Sequence, residues 1–124
     1  MTLSTENVSI ENVSIEGSWA AVCPVGDVPV GAGVAALLDD NVQVAIFRLA
    51  SGQFYALSNM DPFSGAAVLA RGILGDSGGA PVVASPIYKQ RFDLRTGACL
   101  DDDEVSVRTY PVRVTSGVVH VGSP

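Results

Sequence analysis

Positive charge is scarce in this sequence. It holds one lysine, Lys89, and six arginines against 13 acidic residues, for a net charge of −6 and a pI near 4.4. Nucleic-acid backbones are held by basic faces, so nucleic acid is excluded as a natural partner. Histidine is almost absent: His120 stands alone, in what reads as the last strand. Nucleophilic hydrolysis pairs a Ser or Cys with a base, normally His, and a lone strand histidine makes no triad. The segment Gly75-Asp76-Ser77-Gly78-Gly79 has the look of a serine-protease nucleophile region. A chain of 124 residues cannot hold that family's double barrel, and such glycines suit a turn. The same loop has no Lys and runs into Pro81, which removes a phosphate cradle.

The two cysteines, Cys23 and Cys99, are too few and too far apart for a CxxC metal site or a disulfide framework. They are read as buried free thiols. No run of about 18 apolar residues occurs, and the start lacks the basic and apolar stretches of a secretory leader. The expectation is a cytoplasmic protein without a membrane partner.

What the sequence does have is apolar residues, 48% of the total, with only 16% charged. A chain of 12.8 kDa with that composition buries enough surface for one folded domain without metal or disulfide. Glu6-Asn7-Val8-Ser9-Ile10 is repeated at once as Glu11-Asn12-Val13-Ser14-Ile15. Residues 1–17 are read as a flexible tail, and residues 18–122 as the domain. From there the texture is short Val, Ile and Phe runs cut by turn residues, the pattern of strands.

Expected strands are 18–22, 33–38, 42–49, 54–58, 80–84, 91–93, 107–114 and 118–121. Asp39-Asp40-Asn41, Ser51-Gly52 and Thr115-Ser116-Gly117 supply hairpin turns. Helix is confined to a turn or so over 66–71. The fold class is therefore all-β, an antiparallel meander. Residues 59–90, with Pro62, Pro81, Pro86 and the glycines from Gly65 to Gly79, are expected to be mostly loop. Long ordered loops on a small scaffold usually carry the function. Asp101-Asp102-Asp103-Glu104 lacks the alternating spacing of a calcium loop and reads as a solvated turn. Lys89, Arg91 and Arg95 form a local basic cluster.

Two segments then fall into register with a known pattern: Asp61-Pro62-Phe63-Ser64-Gly65, and Ser85-Pro86-Ile87-Tyr88-Lys89-Gln90-Arg91-Phe92-Asp93 with Thr96-Gly97. They resemble the cluster loops of Rieske iron–sulfur domains, Cys-Pro-His-x-Gly and Cys-Pro-x-His-Gly-x-x-Phe-Asp-x-x-Thr-Gly. The resemblance implies a Rieske-like antiparallel β-sandwich with two long loops in a degenerate cluster-binding subdomain. It puts Asp61 and Ser85 in the cysteine places and Phe63 and Tyr88 in the histidine places. A Rieske centre needs two thiolates and two imidazoles; phenylalanine has no lone pair, and Ser and Tyr are poor substitutes. The chain is expected to bind no [2Fe-2S] cluster. Asp61 and Tyr88 offer only two oxygen-bearing side chains, too few for a lone iron without His.

Over residues 18–122 the sequence is also similar to the small subunit of NAD(P)H-dependent assimilatory nitrite reductase, through Val44-Ala45-Ile46-Phe47-Arg48-Leu49, the Asp-Pro-Phe and Ser-Pro-Ile-Tyr-Lys loops and Tyr110-Pro111-Val112-Arg113. That resemblance implies a subunit without its own redox centre or catalytic residues. Its partner is the large subunit, which carries FAD, a [4Fe-4S] cluster and siroheme for reduction of nitrite to ammonium. Phe63, Tyr88, Lys89 and Arg91 are the expected partner-binding residues; alternatively the two rings fill the vacated cluster space and pack together. Other readings of the same frame are a free-standing protein-binding module or a ferredoxin-derived adaptor.

Overall fold

Val44, Ala45, Ile46 and Phe47 are all fully buried, although neighbouring residues of a strand face opposite sides. Their strand must therefore be covered on both faces. The computed structural model, which describes residues 19–38 and 41–123, shows how. The duplicated tail, Ser18 of the first expected strand, and Asp39 and Asp40 of the first expected turn lie outside the described residues.

Among the described residues ten strands follow in order: β1 (Trp19–Pro24), β2 (Ala32–Leu37), β3 (Gln43–Arg48), β4 (Phe54–Ser58), β5 (Ile73–Ser77), β6 (Ala80–Ala84), β7 (Arg91–Asp93), β8 (Thr109–Tyr110), β9 (Val112–Thr115) and β10 (Val118–Gly122). They form three antiparallel sheets with orders β1-β10-β9, β2-β3-β4-β8 and β5-β6-β7. The second is the middle layer. Val44, Ile46 and Ala56 share one cluster with Cys23, Val119 and Val121 of the first sheet. Ala45, Phe47 and Leu57 share the other with Val83 and Phe92 of the third. Each fully buried Phe, Ile, Leu or Val contributes about 1.5–3 kcal/mol of transfer free energy, so the middle strands are the anchor for everything else. The fold is all-β, as expected, with the third sheet as the loop-bearing subdomain.

Most expected strands fall within a residue or two of the observed ones. The expected strand over 107–114 is divided. Pro111 has no N–H to give a ladder, and the chain changes sheets there: Tyr110 pairs with Ala56, while Val112 pairs with Val121. The stretch 59–90 is less loop than expected, because β5 lies within it. Gly75 and Asp76 are poor strand formers, yet the hairpin with β6 supplies their partners. Gly78 and Gly79 turn that hairpin with φ of 60° and 93°, and Gly79 N–H donates to Asp76 Oδ2 at 3.1 Å. The glycines of the Gly75–Gly79 segment thus make a tight turn. The expected helical turn is a short 3-10 turn, Leu69–Arg71, with Leu69 and Ala70 buried. A second such turn, Val25–Asp27, was not signalled by the sequence.

Candidate functional site

Two loops leave the third sheet at one end: residues 59–72 between β4 and β5, and residues 85–90 between β6 and β7. The first is stitched to the core by buried Asn59. Its Nδ2 donates to Gln43 Oε1 at 3.2 Å, and its Oδ1 accepts from Ala70 N–H at 2.7 Å. Its backbone also pairs with Gln43 and Leu69. Asp61 N–H donates to the Ala66 carbonyl, and Gly65 N–H to that of Asp61, both at 2.8 Å. Gly72 closes the loop where a Cβ would meet Val83 Cγ2 at 2.7 Å and the Ala84 carbonyl oxygen closer still. In the second loop Ser85 N–H donates to the Gln90 carbonyl at 2.9 Å, and Ile87 N–H to Ser85 Oγ at 3.2 Å. Lys89 has φ of 68°, a left-handed conformation costly for a side-chain-bearing residue. It occupies the place where the Rieske pattern has Gly, the residue that adopts this conformation at least cost.

The loops meet through two buried polar residues, one from each. Ser85 Oγ donates to Asp61 Oδ2 at 2.5 Å, and Phe63 N–H donates to Asp61 Oδ1 at 2.9 Å. Asp61 is fully buried and Ser85 nearly so. Burial pushes the Asp61 carboxyl up, but hydrogen bonds from Ser85, Phe63 and Ser64 outweigh it and hold the group below its ordinary range.

The donor set does not fit a [2Fe-2S] centre. The two Rieske thiolates share one iron, whereas Asp61 and Ser85 touch each other directly and leave no room for an ion between them. Phe63, in a histidine place, leans into the core with its ring centroid 6.2 Å from that of Phe92. Tyr88, in the other, is 60% exposed. The two rings therefore do not fill the space together: Phe63 packs inward and Tyr88 faces solvent. Asp61 and Tyr88 likewise differ in setting, one sealed and one open. Among the described residues no group of three or more His, Cys, Asp or Glu is placed to hold a metal.

Of the basic cluster, Arg91 pairs with Asp101 through Nη2–Oδ1 at 2.9 Å and Nε–Oδ2 at 3.2 Å. Arg95 pairs with Asp93 at 2.9 Å. The acidic run is an exposed turn, with one of its members engaged by Arg91. Lys89 is exposed and forms no ion pair among the described residues. Cys23 and Cys99 are free and buried; burial, then the nearby Asp27 charge, pushes the Cys23 thiol up to about 11. His120 is half-buried in β10 with Nδ1 3.2 Å from the Val118 carbonyl. Sequence reasoning missed Met60 and Ile87, which are 46% and 42% exposed on the two loops, and the structural part of Asn59. A short polar residue opening each loop, Asp61 and Ser85, was the available signal for the cross-link.

A layered β fold with paired loops of this shape is a Rieske-like domain, and residues 18–122 match the Rieske-like [2Fe-2S] domain family. The chain belongs to that family and, within it, to the nitrite reductase small subunits. It is 46% identical over 104 residues to the NADH nitrite reductase small subunit of Escherichia coli K12, covering 83% of this chain and 95% of that one. It is 49% identical over 105 residues to the NAD(P)H nitrite reductase large subunit of Klebsiella oxytoca, covering 85% of this chain but only 11% of that one. A solved structure from Mycobacterium tuberculosis, provisionally described as an NADH-dependent nitrite reductase small subunit, superposes with a TM-score of 0.84 at 51% identity. That match covers 87% of this chain and 96% of the other.

Proposed function

We propose that this chain is the accessory small subunit of an assimilatory NAD(P)H nitrite reductase in the cytoplasm, acting in the reduction of nitrite to ammonium through contact and not by carrying electrons. FAD, a [4Fe-4S] cluster and siroheme reside on the large subunit. The observation that carries this reading is the Asp61–Ser85 hydrogen bond, which joins the two loops where a Rieske domain has iron. The Klebsiella oxytoca relative supports the partner, because a domain 49% identical to this chain sits inside a large-subunit polypeptide. A subunit without catalytic groups acts by binding one conformation of its partner, which shifts the population toward that conformation and stabilises it.

The test is nitrite-dependent NAD(P)H oxidation by the purified large subunit with and without this chain, together with the thermal midpoint of each preparation. A higher rate or midpoint in the complex is expected. Equal rates and equal midpoints overturn the proposal.

A further inference from the structure

We infer that the outer surface of the two loops is the face that grips the large subunit, with Met60, Ile87 and Tyr88 as apolar anchors and Lys89 as the orienting cation. The inference rests on the accessory-subunit reading and names its contact surface. Three observations carry it.

The first is placement. Met60 flanks Asp61 in one loop, and Ile87 and Tyr88 follow Ser85 in the other, so the Asp61–Ser85 bond brings these three exposed side chains to one tip. The loops are held by buried hydrogen bonds without a cluster, so little order has to be created on binding. A large aromatic side chain in such a patch is the usual kind of anchor.

The second is charge. Five of the chain's 13 acidic residues fall outside the described residues, which hold eight acids against seven Lys and Arg, so the local pairing of each cation decides what a surface offers. Beside the tip Arg91 is occupied by Asp101, and past the far end of β7 Arg95 is occupied by Asp93, while Lys89, the chain's one lysine, forms no ion pair among the described residues. The complementary patch on the large subunit is therefore apolar at its centre with carboxylates at its rim. Such a pairing fixes orientation more than affinity.

The third is where the ends lie. Trp19 pairs with Gly122 in the first sheet, which covers the middle sheet on the face opposite the third sheet and its loops. In Klebsiella oxytoca the related domain is joined covalently to the large subunit. A connection through ends placed as they are here leaves the loop tip free to face the rest of that polypeptide.

The experiment measures binding of the full chain to the large subunit by calorimetry or surface capture, for the natural protein and for Tyr88→Ala, Ile87→Asp, Lys89→Glu, Lys89→Gly and Val114→Asp. Glycine suits the left-handed backbone at position 89, so Lys89→Gly removes the cation from a chain that folds. Val114 is an exposed residue of β9 in the first sheet and serves as the comparison surface. The expected result is about a tenfold or greater loss for Tyr88→Ala and Ile87→Asp. The two Lys89 variants should lose binding in a way that added salt erases, and Val114→Asp should bind like the natural chain. Natural-level binding by the loop variants, or loss confined to Val114→Asp, overturns the docking face while leaving the accessory role intact. If the natural chain itself does not bind, the accessory reading falls with it.

Discussion

Ser85 reaches across 24 positions of chain to place its hydroxyl 2.5 Å from the Asp61 carboxylate, and both residues are sealed from solvent. In a Rieske domain the residues at these places are tied by iron. Here a charged hydrogen bond joins the two loops at those same places. Such bonds to ionised groups are among the stronger ones in proteins.

Removing the acceptor should therefore be costly. Asp61→Ala strands the Ser85 hydroxyl and the Phe63 N–H in a buried site, and an unsatisfied buried donor costs about 1–3 kcal/mol. Asp61→Asn keeps an acceptor oxygen and should lose less. Chemical denaturation of the three proteins checks the ranking, and identical midpoints for Asp61→Ala and the natural chain would remove the cross-link from the account.

Acid should act on the same bond. The Asp61 carboxyl is held below its ordinary value of 3.8, and Asp93 is held low too, chiefly by its hydrogen bond from Arg95. A depressed folded-state value means that the charged form is stabilised by folding. The contribution is fully present above the unfolded value and disappears as the pH falls through the folded one. Stability should thus be flat near neutrality and decline below about pH 4. Asp61→Asn should decline less steeply over that range when unfolding is followed at a series of pH values. An equal slope in both proteins would assign the acid sensitivity elsewhere.

How much of this was legible in the sequence depended on whether the deciding contacts were local. Val44 to Phe47, unbroken by a polar residue, marked a strand, while its cover on both faces is seen only in the burial of all four residues. The loop frame was legible because Pro, Phe-Asp and Thr-Gly stand at fixed spacing around the degenerate positions. β5 was hidden because Gly75 and Asp76 carry no strand preference, and only pairing with β6 makes them one. The break at Pro111 was visible as a proline, but the change of sheet on either side of it was not. At the loops themselves, the residue types showed that iron ligands were gone. They did not show that Phe63 turns toward Phe92 while Tyr88 stays in solvent, since that choice is made by a core assembled from distant segments.

Gly97, the glycine of the Thr-Gly pair, is a sharper test of that frame. It has φ of 81°, and a Cβ there would collide with the Val107 carbonyl oxygen and approach Thr109 Cγ2 to 3.2 Å. Its own carbonyl accepts the Val107 N–H at 2.8 Å, so neither segment can retreat without losing a bond. Gly97→Ala combines a strained backbone with a steric clash and should destabilise by about 2 kcal/mol or more. Gly26→Ala meets nothing within 4 Å and should be nearly neutral. Thermal melts of the two variants decide, and a neutral Gly97→Ala would mean that the 97–107 contact is looser than drawn.

Iron itself gives the most direct check on the vacated site. Anaerobic incubation with ferrous iron and sulfide, followed by desalting, should leave the natural chain colourless and without stoichiometric iron. Its would-be ligands are a carboxylate and a hydroxyl bonded to each other, a ring packed on Phe92 and a phenol in solvent. A carboxylate already committed to Ser85 and Phe63 has to give up both hydrogen bonds before it can meet a metal, and among the described residues no group of three or more His, Cys, Asp or Glu is placed to compensate. Retained iron with the absorbance and paramagnetic signature of a two-iron cluster would show that the loops open to admit it. Contact alone would then no longer explain what this subunit does.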